Sequence, residues 1–300
     1  MKSATDGTNF NVTFWGTRGS ISTPGSSTEK YGGNTPCISI KHKDTELIFD
    51  AGTGIRNLGL HLAHSVATTG RPLNLHLFLS HTHWDHIQGL PFFAPAYISG
   101  TNLSIYGSPK KERLLEGILK GQMDENYFPV NMDALAAKIS VIEMPSTLMR
   151  TGSVTILWQE QIMHPGGSVR YKIMAGKKQI VYATDVELDK ILGTKKNLSE
   201  HKHLVDQYSK FIHGADLLIA DGQYTSEEYP QKTGFGHTSI PILLEIAARE
   251  KVKNLAIFHH DPQHSDMFID RLWAYYAPRM LSGKHEMNIF WAREGMTISV

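Results

Sequence analysis

Apolar and polar residues alternate in short runs along the first half of the chain, and these runs predict β-strands. Residues 11–15 and 37–43 alternate, whereas residues 46–54 run apolar into a turn. Residues 55–66 have the spacing of an amphipathic helix, and residues 73–80 form the apolar run of a buried strand. The first half therefore predicts a set of strands with a helix before the last of them.

The second half repeats this style, with helical segments between the strands. The predicted strands are residues 138–144, 153–159, 168–174, 179–185, 215–221 and 254–260. Residues 239–250 predict a helix that begins at a serine cap and carries a proline in its first turn. Strands in blocks, followed by alternating strands and helices, favour an α/β fold with two sheets packed face to face and helices outside. Periodicity alone leaves other α/β arrangements open.

The composition indicates a globular chain without disulfides. Hydrophobic residues make up 41% of the 300 residues, and the formal net charge of +1 gives no argument for a protein that coats nucleic acid. Cys37 is the only cysteine, which excludes an intrachain disulfide and a cysteine-rich zinc site. No linker-like tract divides residues 1–300, so we expect a single domain. The start lacks the apolar core of a signal peptide, and no apolar run approaches the ~18 residues of a membrane span, so we expect a cytoplasmic protein with no membrane partner.

Four metal-binding side chains follow the last strand of the first half. The stretch FLSHTHWDHIQGL, residues 78–90, contains His81, His83, Asp85 and His86. Histidines at positions i and i+2 on extended backbone can converge on one ion, and the aspartate and histidine that follow can turn towards a second. Imidazole suits zinc, iron, nickel or copper, and a carboxylate adds preference for a catalytic divalent ion. A coincidental polar turn is the alternative, but four such positions seldom coincide by chance, so we predict a metal site.

Three further polar residues end apolar runs. His164 is followed closely by two glycines, Asp185 closes one predicted strand, and His259 closes another. Each of them alone is better explained by a buried polar residue with its hydrogen bonds satisfied. Because ligands in α/β folds gather at one sheet edge, their recurrence at strand ends favours a shared site.

This pattern resembles the metallo-β-lactamase superfamily, whose signature His-x-His-x-Asp-His corresponds to residues 81–86. The resemblance spans most of the chain and includes DAGTG at residues 50–54. It implies a four-layer αββα sandwich with a site for two divalent metal ions between the sheets, zinc first, with manganese or iron as alternatives. The ligands it implies are His81, His83 and His164 for one ion, Asp85, His86 and His259 for the other, and Asp185 as the bridge. His260 is an open alternative to His259.

Within the superfamily, the chain resembles tRNase Z and related phosphodiesterases. Residues 14–25, FWGTRGSISTPG, resemble their opening Gly-Thr loop, and residues 235–239, FGHTS, resemble their Gly-His-Ser-Thr motif before a helix. Their His-Glu-Ala-Thr segment is replaced by ADGQ at residues 220–223, which places Asp221 where the family has glutamate. This departure, and the lack of an obvious long basic arm rich in glycine and proline, favour a small-molecule or short phosphodiester substrate over tRNA.

The resemblance also implies catalytic roles. Asp85 would bind metal and orient the attacking water. His237 would donate a proton to the leaving oxygen, and Asp221 would orient His237 and favour its protonated form. A capping or buried histidine and a turn aspartate are the alternatives for these two residues.

Two loops and one long segment are candidates for contacts with a substrate or a partner. In GTRGS, Arg18 is expected to pair with a phosphate, and Ser20 lies in the same glycine-rich loop. Asn34 lies in a second loop, YGGNTPC, expected at the same edge. An ordinary tight turn explains such a loop equally well. The segment near residues 101–145 would form a lid over the cleft or the surface of a homodimer.

The same metal site serves other chemistry in this superfamily. A lactonase, thioesterase or arylesterase is the nearest alternative. A diiron electron-transfer module typically has glutamate in place of His83, and a metal-free binding protein is disfavoured by the full set of ligands. We therefore predict a dinuclear metal-dependent hydrolase acting on the phosphodiester bond of a cyclic nucleotide or another small molecule.

Overall fold

Two mixed β-sheets form the centre of the protein. A computed structural model describes residues 9–108, 114–144, 147–193, 195–281 and 287–300. Within these residues, the first sheet has the spatial order β14 (Thr297–Ser299), β1 (Asn11–Gly16), β2 (Cys37–His42), β3 (Thr45–Phe49), β4 (Asn74–Phe78), β5 (Asn102–Gly107) and β6 (Lys138–Glu143). The second has the order β13 (Asn288–Trp291), β12 (Asn254–Phe258), β11 (Leu217–Asp221), β10 (Lys178–Ala183), β9 (Ser168–Ala175), β8 (Val154–Gln161) and β7 (Leu148–Thr151).

Each sheet has a parallel half and an antiparallel half. Strands β3 to β6 run parallel, and β1 pairs antiparallel with both β2 and β14. In the second sheet β10 to β13 run parallel, whereas β7, β8 and β9 form an antiparallel meander that joins β10. Ligand sites in such sheets lie beyond the carboxyl ends of the parallel strands, and this is where the predicted metal ligands occur.

Helices cover the outer faces of both sheets. In chain order the helices of the described residues are α1 (Ile55–Thr69), α2 (Trp84–Ile87), α3 (Leu115–Gln122), α4 (Asp189–Leu192), α5 (Lys195–Glu200), α6 (Lys202–Ile212), α7 (Tyr229–Lys232), α8 (Ile240–Arg249) and α9 (Asp266–Leu281). Short 3₁₀ turns occupy Leu90–Phe92, Ala94–Tyr97 and Met132–Ala134. The helix predicted at residues 239–250 is α8, with Ser239 before its first residue.

Three apolar layers hold these elements together. Between the sheets, Phe49 and Phe78 stack at 5.3 Å and meet Tyr171 and Tyr182 of the second sheet. A second core packs α1 against the first sheet, and a third packs α6, α8 and α9 against the other. Burial of apolar surface on both faces of each sheet is what stabilises a four-layer arrangement. The predicted αββα sandwich is confirmed.

Several strands end in a backbone conformation that few residues adopt. Asp50 after β3, Asp185 after β10 and His259 after β12 have φ of 60°, 59° and 59°. A left-handed residue other than glycine costs about 1–3 kcal/mol. This conformation turns each side chain out of the strand direction at the sheet edge, where the three residues meet the histidines that follow β4.

The two ends of the segment near residues 101–145 belong to the first sheet. They form β5 and β6, and α3 lies between them, so these parts are scaffold. Residues 109–113 lie outside the described residues. A lid or a homodimer surface stays a prediction for the remainder of the segment.

Candidate metal centre

The stretch after β4 supplies one side of a cluster of imidazoles and carboxylates. His81 and His83 lie on the extended backbone before α2, and Asp85 and His86 lie in the first turns of α2. Because the backbone changes from extended to helical at His83, the four side chains converge on one region from different directions. The second sheet faces that region with the residues that follow β8, β10 and β12.

Three histidines form the first group. Suitable ligand atoms of His81, His83 and His164 lie within 4.8 Å of one another. His164 Nε2 is 3.1 Å from His83 Nδ1. His81 Nε2 is buried and has no hydrogen-bond partner. A buried ring nitrogen without a partner is costly, and it is the kind of atom that a metal ion would satisfy.

The second group combines a carboxylate with two histidines. Asp85 Oδ2 lies 3.3 Å from His86 Nε2 and 3.1 Å from His259 Nε2. The two ring nitrogens are 3.3 Å apart. All three residues are buried. The carboxylate oxygen of Asp85 and the two ring nitrogens are therefore close enough together to bind one cation.

Asp185 lies between the two groups and contacts both. Its Oδ1 is 3.9 Å from His81 Nε2 and 3.8 Å from His164 Nε2. Its Oδ2 is 3.3 Å from His86 Nε2, and its Oδ1 is 3.6 Å from His259 Nε2. This is the position expected of a bridging carboxylate.

Charge in the cluster is arranged for a cation. Burial lowers the pKa of His81 and of His164, so both rings are neutral, which is the form that binds metal. Burial by itself raises the pKa of Asp85, but its contacts with His86 and His259 bring that pKa below its usual range. The carboxylate therefore stays ionised inside the protein. Together with the unsatisfied nitrogen of His81, this donor set fits a divalent ion of the zinc, iron or manganese type.

Asp50 supports the cluster from behind, and we did not predict it as a site residue. Its Oδ2 accepts hydrogen bonds from Tyr182 Oη at 2.6 Å and Ser80 Oγ at 2.8 Å, and it lies 2.8 Å from His86 Nδ1. A carboxylate on the far nitrogen of a ligating histidine fixes the ring's tautomer and orientation. The signal in the sequence is the Asp of DAGTG at the end of β3.

His237 and Asp221 form a pair beside the cluster. His237 Nδ1 lies 3.0 Å from Asp221 Oδ2 and 3.7 Å from Asp185 Oδ1. The His237 ring stacks on His259 with centroids 4.9 Å apart. Burial raises the pKa of Asp221, and the contact with His237 opposes that rise. The pair is thus within reach of whatever the cluster binds.

The residues expected to contact substrate lie in less direct positions. Arg18 is fully buried, and its guanidinium donates to the carbonyls of Gly32, Asp261 and His264 at 2.9, 3.1 and 2.7 Å. The Nε and Nη1 donors of Arg18 therefore hold three loops together inside the protein, and its phosphate contact stays a prediction.

Ser20 and Asn34 have structural partners as well. The backbone N–H of Ser20 donates to Asp85 Oδ2 at 2.8 Å, while its side chain is exposed. Asn34 donates through its backbone and its side-chain amide to Glu294 at 2.6 and 2.8 Å. Ser20 thus borders the cluster through its backbone, and the Asn34 amide is held by Glu294, which points to a structural role.

The choice between His259 and His260 follows from backbone geometry. His259 lies in the cluster, whereas His260 Nε2 donates to the carbonyl of Ala292 at 2.8 Å. Burial lowers the pKa of His260 to about 3. The loop that contains Gly19 packs closely against His259. A Cβ on Gly19 would lie 2.4 Å from His259 Nδ1, so glycine is required there.

Comparison with known proteins places this arrangement in a family. The sequence profile of the Beta-lactamase superfamily domain matches residues 45–260. The chain is 26% identical over 286 residues to a ribonuclease Z of Pyrococcus horikoshii, covering 85% of this chain and 87% of the relative. The metallo-β-lactamase fold protein YhfI from Bacillus subtilis superposes with a TM-score of 0.66 at 18% identity, covering 97% of this chain and 99% of YhfI. A diphosphatase of the PhnP family superposes with a TM-score of 0.62 at 15% identity, covering 96% of this chain and 97% of the diphosphatase.

The chain belongs to the β-lactamase superfamily, since the match spans more than half of its length. It is a metallo-β-lactamase-fold hydrolase of the tRNase Z-like branch, and the fold together with the histidine and aspartate clusters indicates binding of divalent metal. Among the described residues, no helix is both long and apolar enough to cross a membrane.

Proposed function

We propose that this protein is a dinuclear phosphodiesterase acting on a small phosphodiester such as a cyclic nucleotide. The observation that carries this proposal is the His237–Asp221 pair, 3.0 Å apart, directly beside two groups of metal-binding side chains. A cluster alone serves many hydrolases. A buried imidazole beside it adds a proton donor, which alkoxide leaving groups require.

In this proposal His81, His83 and His164 would hold one ion, Asp85, His86 and His259 would hold the other, and Asp185 would contribute to both. Zinc is the ion we expect first, with manganese or iron as alternatives. Two bound divalent ions supply Lewis acidity, lowering the pKa of water towards neutrality and neutralising phosphoryl oxygens. Asp85 remains ionised through its contacts with His86 and His259, and we assign to it the orientation of the attacking water.

His237 is assigned the proton transfer to the leaving oxygen. Its Nδ1 faces Asp221, so Nε2 is the atom left to donate a proton towards the substrate. Asp221 is fully buried, and its Oδ1 has no partner. Burying one imidazole against one carboxylate fixes the direction of the ring. This geometry supports the assignment of His237 as a general acid.

Exposed aromatic side chains near the cluster support a substrate with an aromatic group. Trp84, between His83 and Asp85 in the chain, is 80% exposed, and Phe235, two residues before His237, is 58% exposed. Exposed rings of this kind can stack on nucleobases. The ribonuclease Z relatives bear the name of an RNA-cleaving enzyme, whereas this chain's site favours a small nucleotide.

The test is hydrolysis by protein reconstituted with zinc or manganese. Bis-p-nitrophenyl phosphate and 2′,3′- and 3′,5′-cyclic nucleotides should be cleaved, and a chelator should abolish turnover. Carboxylic esters and lactones are the matched controls, since they need the same metals without a phosphoryl group. Faster turnover of esters or lactones than of all phosphodiesters would replace this proposal with the lactonase, thioesterase or arylesterase alternative.

A further inference from the structure

The loop that carries His237 is fastened to the segment that carries Asp185 by one buried carboxylate. Glu187 follows Asp185 by two residues, and its side chain has no exposed surface. Its Oε1 accepts hydrogen bonds from Tyr229 Oη and the N–H of Gly234, both at 2.8 Å. Its Oε2 accepts from the N–H of Gly236 at 3.1 Å. The tether, as we name these three contacts, ends one residue before His237.

The tether also reaches a metal-binding side chain. The N–H of Gly236 binds Glu187, and the carbonyl of Gly236 accepts from His164 Nδ1 at 2.9 Å. Gly236 has φ of 91°, and a Cβ at this position would lie 2.3 Å from His164 Nδ1. Glycine is therefore required by both the backbone conformation and the close approach.

The donor loop, as we name the loop that carries His237, is also held on the C-terminal side of His237 by contacts that do not involve Glu187. Thr238 Oγ1 donates to the carbonyl of Val186 and accepts from the N–H of Leu188 at 3.1 Å. Ser239 donates through its backbone and its hydroxyl to Asp189 at 2.8 and 2.6 Å. His237 therefore lies between two attachments, both to residues 186–189. Loss of the tether would therefore free only the backbone on the N-terminal side of His237.

We propose that Glu187 is a positioning residue that sets the distance and angle between the proton donor His237 and the bridging position of Asp185. This inference rests on the proposed function and deepens it. The Glu187 carboxylate accepts three hydrogen bonds, two of them from backbone N–H groups, and these bonds restrict the conformations of the loop. They are strong because the acceptor is charged and buried. Small errors in the placement of a catalytic group have large effects on rate.

Glu187→Gln tests the tether with little change in volume. Glutamine retains one acceptor oxygen, but its NH₂ group replaces the other. That NH₂ group and a glycine N–H are both donors, so one backbone hydrogen bond is lost. We expect turnover of an alkyl phosphodiester to fall at least about tenfold, a part of the general-acid contribution, and turnover of p-nitrophenyl phosphodiester to change little. Lys190→Met is the matched control, because Lys190 Nζ binds the same carboxylate at 2.9 Å without belonging to the donor loop. It should preserve the alkyl-to-aryl rate ratio.

A double-mutant cycle separates positioning from a general structural role. If Glu187 acts through His237, Glu187→Gln should add little to the alkyl defect of His237→Ala, because both act on one proton transfer. Metal content is measured in each variant, since His164 also touches Gly236. Tyr229→Phe, which removes one tether contact without altering the carboxylate, should show the same ratio change in weaker form.

The possible results distinguish failure of the tether from failure of the proposed function. Equal losses on alkyl and aryl substrates in Glu187→Gln, or additive defects in the double mutant, would contradict the tether while leaving the proposed function intact. An unchanged alkyl-to-aryl ratio in His237→Ala would instead remove the proton donor, and with it the tether. A ratio change in both single variants, with no further change in the double variant, is the result we expect.

Discussion

The metal cluster and the donor pair lie side by side but are built differently. Cluster residues come from both sheets, and Asp185 lies 3.3–3.9 Å from ring nitrogens of His81, His86, His164 and His259. His237 instead makes one side-chain hydrogen bond, to Asp221 at 3.0 Å, and its loop is held by two attachments. Its other neighbours are Asp185 Oδ1 at 3.7 Å and the stacked ring of His259. The position of His237 therefore depends on the loop around it as well as on its neighbours in the cluster.

This contrast separates two kinds of mutational effect. Changes in the cluster should alter metal binding, and therefore turnover of every substrate. Changes in the donor region should leave metal in place and affect only substrates with poor leaving groups.

His83→Ala should have the largest effect. It removes one of three histidines of the first group, and its Nδ1 lies 3.1 Å from His164 Nε2. We expect loss of at least one ion per chain and of nearly all turnover on alkyl and aryl substrates alike. Elemental analysis beside rate measurements checks this, with His64→Ala on the exposed face of α1 as the control. Full metal content in His83→Ala would remove His83 from the site.

Asp185→Asn should weaken binding of both ions. The carboxylate touches both groups, and a neutral amide attracts a divalent cation less strongly. Competition with a chromophoric chelator should give lower affinity for both equivalents of metal. Asp216→Asn is the matched control, since Asp216 is also buried but pairs with Lys253 at 2.8 Å far from the cluster. Titration curves that coincide for wild type and Asp185→Asn would contradict the bridging role.

Asp50→Asn should have an intermediate effect. It replaces the carboxylate that orients His86, and losses of ~10–100-fold in metal affinity are usual for such partners. The defect should be repaired by excess metal, unlike that of His83→Ala. If activity stays low at saturating metal, Asp50 stabilises the fold rather than the ligand.

Trp84→Ala should have the smallest effect on chemistry. An exposed ring that stacks on a base supplies about 1–3 kcal/mol of binding, so KM for a nucleotide should rise about tenfold while kcat and metal content hold. Trp273→Ala is the control, since Trp273 is 50% exposed on α9. An unchanged KM for nucleotides would argue against an aromatic group in the substrate.

Local patterns predicted the cluster more completely than its surroundings. His81, His83, Asp85 and His86 lie within six positions, so one turn of backbone brings them together. Asp50 contacts His86 across 36 positions, and no local pattern reports that distance. The fold followed from alternation and resemblance together, because alternation by itself fits several α/β arrangements.

The role of Arg18 could not be assigned from the sequence for a physical reason. A cation in a glycine-rich loop can face a phosphate or backbone carbonyls, and the sequence is the same in both cases. Here three carbonyls from separate loops surround the guanidinium. Likewise, His259 and His260 differ only through the left-handed backbone at His259, which sequence spacing does not reveal.

The separation of proton donor from metal cluster is measured by the alkyl-to-aryl rate ratio of His237→Ala, taken together with the metal content of that variant. An alkoxide needs protonation as it leaves, whereas p-nitrophenolate needs little. We predict that His237→Ala retains the wild-type amount of metal, loses ~10²–10⁴-fold on an alkyl phosphodiester and loses far less on the p-nitrophenyl ester. Equal losses on both substrates, or loss of metal with activity, would contradict a donor site separate from the metal cluster.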